Sequence, residues 1–167
     1  ARAGSYWEVP LLEGIHRQPG SDEMKHMGAA MASYGSVPLF HLVGVTPEAP
    51  TLQAVCDPDS LPADVIGAAD FEAFYARYGG KVDVVVFSAP QLSLLEMQSL
   101  AALLDGNKLH PDTSLLAVTS PVVAADARRL GLVERIEASG ALVLEGMCFY
   151  QSYAREMGEA NGWKRLM

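Results

Sequence analysis

Short runs of Val, Leu and Phe alternate along the chain with longer stretches in which apolar residues return every three or four positions, and the two patterns predict different elements. Residues 37–43, 82–87, 114–118 and 141–144 read as strands, with 64–66 as a weaker fifth. Their apolar residues are continuous rather than alternating, which predicts strands covered on both faces. Ser21 stands where it can cap a helix with Asp22 and Glu23 in its first turn; Met24, Met27, Met31 and Tyr34 then form one stripe, ended by Gly35. Asp70 can cap a second helix carrying Phe71, Phe74, Tyr75 and Tyr78, stopped by Gly79-Gly80. Ser93-Leu-Leu-Glu96 has the capping-box spacing and opens a third helix with Leu94, Met97, Ala101 and Leu104 on one face. Ser120-Pro121 opens a fourth, which runs to Leu130-Gly131. Alternating strands and helices predict parallel pairing through right-handed crossovers. The expected fold class is α/β: a three-layer α/β/α domain with a mainly parallel four- or five-stranded sheet. Pro and Gly fall singly between periodic segments, so residues 1–167 are expected to form one domain.

Composition narrows the partners. Half of the 167 residues are hydrophobic and 19% are charged, enough apolar surface to offset the entropy of ordering the chain. Twenty acidic residues against twelve basic ones give a net charge of −8, and no basic run exceeds a pair such as Arg128-Arg129. Neither a nucleic acid nor an anionic membrane is an expected partner. No apolar stretch approaches the roughly 18–20 residues that span a bilayer. Residues 1–8 contain no apolar secretory core, and the only cysteines, Cys56 and Cys148, make no disulfide framework, so the cytoplasm is the expected location. A chain that opens on Ala1 without methionine and stops at Trp163-Lys-Arg-Leu-Met167 reads as a piece of something longer.

In an open parallel sheet, ligands lie beyond the carboxyl ends of the strands. The segments just after the predicted strands are Gly44-Val-Thr46-Pro-Glu48, Ser88-Ala-Pro-Gln91-Leu-Ser93, Thr119-Ser120-Pro121 and Glu145-Gly-Met-Cys148. They bring hydroxyls, an amide, carboxylates and a thiol toward one edge, several at helix N-termini, which suits a small anion. Thr46, Glu48, Ser93, Ser120 and Cys148 are therefore expected along one sheet edge. Each residue also has a plainer reading. Ser93 and Ser120 are placed as caps, His41 as a hydrogen-bonded core histidine, Cys148 as a small buried hydrophobe and Cys56 as part of a turn. The four histidines form no close pair, and no phosphate-binding loop, dinucleotide fingerprint or Gly-x-Ser-x-Gly elbow is present.

Residues 24–50, Met-Lys-His-Met-Gly-Ala-Ala-Met-Ala-Ser-Tyr-Gly-Ser-Val-Pro-Leu-Phe-His-Leu-Val-Gly-Val-Thr-Pro-Glu-Ala-Pro, carry a more specific signal. The Gly-Ala-Ala-x-Ala-Ser helix followed by Phe-His-x-Val-Gly-x-Thr-Pro-Glu-Ala resembles the catalytic chain of the aconitase X family. The resemblance continues more loosely through 82–93, 118–121 and 143–148, and so covers nearly all of this chain but only the middle and later part of the family's chain. It implies a hydro-lyase that dehydrates a small hydroxylated carboxylate such as cis-3-hydroxy-L-proline or mevalonate 5-phosphate. Some members hold an iron–sulfur cluster on cysteines, and a smaller swivelling domain or subunit completes the enzyme.

On that resemblance Glu48, Thr46 and Ser93 are the expected catalytic residues, and His41, Gly44, Ser88, Gln91 and Ser120 the expected substrate-binding ones. Cys148 is the expected metal ligand. Dehydration beside a carboxylate requires a base for the α proton, donors for the charge that develops, and an acid or Lewis acid for the leaving hydroxide. Glu48 suits the first task or substrate binding, and Thr46, Ser93 and Ser120 the second. Two departures mark a divergent branch: Ser88-Ala-Pro-Gln91 stands where the family has Gly-Cys-Pro-His, and Glu145-Gly-Met-Cys148 where Asp-Thr-Cys is usual. An iron–sulfur cluster or a divalent metal is thus an expectation for the complete enzyme only, and the isolated chain is expected to bind no cluster and to be inactive. The alternative is a non-catalytic α/β domain that binds a small anion.

Overall fold

The computed structural model describes residues 7–167, so the first six residues of the stretch read above for a secretory core lie outside the described residues. In place of the one domain expected for residues 1–167, the chain divides into two units, Ala1–Gly79 and Gly80–Met167, at the paired glycines that stop the aromatic segment.

The first unit is built on a strand–helix–strand crossover: β1 (Leu11–Leu12), α1 (Ser21–Gly35) and β2 (His41–Leu42). The two strands pair in parallel, with Leu11 opposite His41 and Leu12 opposite Leu42. The strand expected over 37–43 is thus reduced to two residues; Pro38 has no N–H to give to a ladder, and its partner is itself only two residues long. The N-cap of α1 is Gly20 and not Ser21. Glu23, in the first turn, accepts the Gly20 N–H at 2.8 Å and pairs with Arg17. The Arg17 guanidinium, and after it the Gly20 N–H, hold the Glu23 carboxyl at about 2. Ser36, in the left-handed conformation with φ 53°, closes the helix: its N–H donates to Ala32 O at 3.1 Å and the Val37 N–H to Met31 O at 3.2 Å. Residues 64–66 form no strand; Val65 is 86% exposed. Gly67 caps α2 (Ala68–Tyr75), and Asp70 sits at its third position, where the carboxylate accepts the Gly67 N–H at 2.9 Å. A 3-10 turn, Ala76–Tyr78, follows.

The second unit holds β3 (Val84–Leu92), α3 (Leu94–Leu104), β4 (Ser114–Thr119), α4 (Pro121–Arg129), α5 (Leu132–Ala138), β5 (Leu142–Glu145), α6 (Phe149–Ser152) and α7 (Ala154–Asn161). Its strands are all parallel, in the order β3-β4-β5. A single sheet of four or five strands is therefore corrected to a two-stranded and a three-stranded sheet, one in each unit.

Both faces of the three-stranded sheet are covered, as continuous apolar strands require. On one face Leu115 and Ala117 pack with Met97 and Ala101 of α3, Ala127 of α4 and Ile136 of α5. On the other, Val84, Val86 and Leu116 pack with Phe149 of α6, and Ala154 and Met157 of α7 close over them. Consecutive crossovers in one direction place α3, α4 and α5 on the same side, which leaves the opposite side to the helices after β5. The outer edge of β3 is also paired: Leu166 bridges Val84 in parallel, Val86 N–H donates to Met167 O at 2.8 Å, and Met167 N–H donates to Val84 O at 3.0 Å. Asp83 fixes this return by accepting the Lys164 and Arg165 N–H groups at 2.8 and 2.9 Å. These two bonds hold its carboxyl below its ordinary value. No helix among the described residues is long and apolar enough to cross a membrane.

Candidate functional site

In the first unit the chain leaves the carboxyl end of β2 through a hydrogen-bonded turn. Gly44 has φ 77°, a conformation that favours glycine, and donates its N–H to Ala49 O at 2.8 Å. Val45 and Thr46 N–H both donate to Leu42 O, at 3.0 and 2.9 Å. Thr46 Oγ1 accepts the Leu42 N–H at 3.2 Å, donates to Leu42 O at 3.1 Å and lies 3.4 Å from His41 Nδ1. Ala49 is fully buried under the turn, whereas Glu48 and Gly44 are exposed. His41, Gly44, Thr46 and Glu48 thus share one local framework, with the hydroxyl of Thr46 engaged inside it and the Glu48 carboxylate turned outward without a hydrogen bond among the described residues.

In the second unit the carboxyl edge of the sheet collects the other candidates. Leu92 pairs with Thr119 although Phe87 pairs with Ala117, so five steps along β3 match two along β4. The surplus, Ser88 to Gln91, loops out at the edge and contains a cis Ala89-Pro90 bond. Ser88 is buried and its Oγ accepts the Phe149 N–H at 3.0 Å. Gln91 Nε2 donates to Met147 O at 3.1 Å, which ties the excursion to the segment after β5. Gly146, at φ 65°, donates its N–H to Thr119 O at 2.9 Å; a Cβ there would lie 3.4 Å from the Pro121 ring. Cys148 follows, half-buried, as the residue that leads into α6.

Ser93 and Ser120 are caps. Ser93 Oγ accepts the Glu96 N–H at 3.2 Å, and Glu96 accepts the Ser93 N–H at 2.7 Å. Ser120 Oγ accepts the Val123 N–H at 3.2 Å. The first turn of α3 therefore already holds a carboxylate of its own, that of Glu96, and Pro121 contributes no N–H to the first turn of α4.

Ser88, Gln91, Ser93, Ser120 and Cys148 are brought to one edge of one sheet, but Thr46 and Glu48 follow a strand of the other sheet. The single edge expected for all of them is corrected accordingly. Two features escaped the sequence. Thr119, fully buried, donates its hydroxyl to Leu92 O at 2.6 Å and locks the surplus of β3 against β4. Arg128 pairs with Glu145 at the end of β5, and this carboxylate holds the guanidinium above its ordinary value. Neither contact has a spacing signature, because each joins residues from different elements.

A cluster takes three or four thiolates. The second unit offers Cys148 alone, with Ser88 and Gln91 committed to backbone partners, and the first unit offers Cys56, whose thiol donates to Leu52 O at 3.5 Å. Among the described residues no group of three or more His, Cys, Asp or Glu could hold a metal ion. The residues of this chain do not by themselves fit a cluster; Cys148 would need ligands from outside it. A cavity of about 290 Å³ in the first unit, beside α1, is lined by apolar Ile15, Met24, Met27 and Leu42 together with His16, Arg17 and Glu23.

Family models agree with the two-unit division: the aconitase X second domain matches residues 2–76 and the aconitase X third domain matches residues 82–167. The chain belongs to the aconitase X family. It is similar to a cis-3-hydroxy-L-proline dehydratase of Pseudomonas aeruginosa, with 31% identity over 85% of this chain and 26% of that protein. It is also similar to the phosphomevalonate dehydratase large subunit of Methanothermobacter thermautotrophicus, with 32% identity over 84% of this chain and 35% of that one. The crystal structure of Thermococcus kodakaraensis aconitase X in its holo-form matches 90% of this chain and 39% of its own, with a TM-score of 0.73 and 27% identity. This aconitase X chain thus spans between a quarter and two-fifths of the length of these relatives.

Proposed function

We propose that the complete protein is a hydro-lyase that removes water from a small hydroxylated carboxylate of the hydroxyproline or phosphomevalonate kind. The observation that carries this reading is the exposed Glu48 carboxylate on the braced Gly44–Ala49 turn, in a chain whose relatives are named dehydratases of such substrates. In the proposed reaction Glu48 takes the proton on the carbon next to the substrate carboxylate. The C–H electron pair becomes the new C=C bond, the C–O bond breaks with its electron pair, and the departing hydroxide takes a proton from solvent to become water while the proton on Glu48 returns to solvent. Charge builds on the carboxylate oxygens during the first step and calls for hydrogen-bond donors to hold them. His41 and Gly44, on the same turn as Glu48, are proposed to orient the substrate. No step is assigned to Cys148, since its surroundings in this chain do not form a cluster site.

A smaller swivelling domain or subunit is proposed as the partner, which the words "large subunit" in the names of the archaeal relatives support. The cytoplasm is the proposed compartment, supported by two free cysteines, and the net charge of −8 supports a reading without nucleic-acid or membrane partners. The test is to incubate the complete protein with cis-3-hydroxy-L-proline and with mevalonate 5-phosphate and to follow the alkene product by NMR. Turnover of either is expected, and none by the 167-residue chain alone. Binding of both without turnover would instead favour a non-catalytic anion-binding domain.

A further inference from the structure

We propose that the cavity beside α1 binds a small zwitterionic carboxylate, with Arg17 holding its carboxylate and Glu23 facing its cationic nitrogen. The place is where a parallel sheet takes its ligands. Strands β1 and β2 run in parallel, and the loop after β1 closes the cavity against the first half of α1 and against Leu42 at the end of β2. Ile15, Met24, Met27 and Leu42 make its lining apolar, and Arg17 and Glu23 bring opposite charges to it. Glu23 takes one end of the guanidinium: Nη1 donates to Oε2 at 2.8 Å and Nη2 donates to Oε1. A guanidinium has five N–H donors in a planar fork. Two go to Glu23 and no other acceptor meets Arg17 among the described residues, so the Nε–H and one N–H on each Nη remain. The Nε–H and the Nη–H beside it form a second fork, which matches a carboxylate in bidentate fashion. Glu23 Oε2 also accepts the Gly20 N–H at 2.8 Å, whereas Oε1 accepts from Arg17 alone and keeps a lone pair for a cationic nitrogen.

The pair is neutral as a whole, and this decides the class of ligand. A purely anionic ligand meets the Glu23 carboxylate as well as Arg17 and gains little, whereas one that carries its own cationic nitrogen satisfies both. With the Glu23 carboxyl held at about 2, the pair stays charged through neutral pH. A cavity of about 290 Å³ lies at the lower end of the ~300–1,000 Å³ of ligand pockets and suits an amino or imino acid, whose carbons the apolar lining covers. That this acid is the substrate rests on the dehydratase reading above, whereas the site does not. On that reading Arg17 supplies the donors that the developing charge calls for, and the substrate is of the hydroxyproline kind.

The test is calorimetric titration of the complete protein with three probes: L-proline, L-prolinamide, which lacks the carboxylate, and tetrahydrofuran-2-carboxylate, which lacks the cationic nitrogen. L-proline is expected to saturate one site and to bind about 10–100-fold more tightly than either of the others. In Arg17→Gln its advantage over L-prolinamide should vanish, and in Glu23→Gln its advantage over tetrahydrofuran-2-carboxylate. Methyl NMR signals of 13C-labelled methionine locate the site: those of Met24 and Met27, assigned by their loss in the leucine variants, should move as L-proline is added to wild type. Absence of saturable L-proline binding, unmoved Met24 and Met27 signals, or an advantage over L-prolinamide kept in a folded Arg17→Gln would each overturn the proposal. The wild-type measurements decide it even if the variants do not fold. L-proline has no hydroxyl to eliminate, so a failed dehydration assay leaves the site standing, and turnover without L-proline in the cavity removes the site but not the reaction.

Discussion

At the scale of single residues, carboxylates of this chain hold backbone N–H groups as well as cations. Glu23 and Asp83 show it most clearly. Both carboxyls are held below their ordinary values, Glu23 chiefly by Arg17 and Asp83 by the Lys164 and Arg165 N–H groups. A carboxyl lowered in the folded state stabilises it above the unfolded pKa, and that contribution disappears as pH falls through the folded value. For Glu23 the loss is therefore expected between the ordinary value of 4.5 and about 2. For Asp83 it begins near the ordinary 3.8 and continues below it. The protection factors of the Val86 and Met167 amides, taken against the intrinsic exchange rate at each pH, should fall in that acid range, and in Asp83→Ala they should be low already at neutral pH. Equal protection in Asp83→Ala would show that the edge pairing holds without the carboxylate. The role of Asp83 was not legible in the sequence, because its partners lie some eighty positions away and are backbone groups that any residue could supply. The turn after β2 was more legible: Gly44, Thr46 and Glu48 stood out by type and order, but the inward engagement of Thr46 needed the geometry.

At the scale of elements, local chemistry decided most helix starts. Ser93 and Ser120 cap α3 and α4 as their sequences indicate, and replacing either by alanine should cost about 1 kcal/mol in chemical denaturation. The acidic residues at Glu23 and Asp70 sit two or three places inside their helices and reach back to a glycine cap, so the readings that put Ser21 and Asp70 at the cap were displaced by one or a few residues. Strands were legible where both faces are covered, as for β4 with Leu115 to Val118 all buried. They were overread over 37–43 and 64–66, where apolar residues exist but no long partner strand does. Helices α5, α6 and α7 escaped prediction because they are short and depend on tertiary packing. Phe149 illustrates this: it is fully buried against Val84, Val86 and Leu116, and its N–H is taken by Ser88. Phe149→Ala should destabilise the second unit by about 3–5 kcal/mol. Ser88→Ala, which orphans that N–H, should cost about 1–3 kcal/mol. A Ser88→Ala variant as stable as the parent would mean that the surplus in β3 is not anchored through this hydroxyl.

At the scale of the whole molecule, the chain is two units, each with its own parallel sheet. The alternation of strands and helices conveyed the α/β class and the parallel pairing, but the count of strands cannot tell one sheet from two when each is short. The second unit carries separate cores on both faces of its sheet and a paired outer edge, so residues 80–167 expressed alone should fold cooperatively. Near-UV circular dichroism and a single denaturation transition would show it; a chain without fixed tertiary signals would show that this unit needs the rest. The proposed chemistry is a dehydration in which Glu48 removes a proton. It is tested most directly by kcat/KM for dehydration of cis-3-hydroxy-L-proline and mevalonate 5-phosphate by the complete protein, measured side by side for wild type and Glu48→Gln. Loss of the base should lower kcat/KM by about 10²–10⁴-fold on whichever substrate is turned over, with folding unchanged because Glu48 is exposed. A Glu48→Gln enzyme as active as wild type, or a complete protein that dehydrates neither compound, would contradict it.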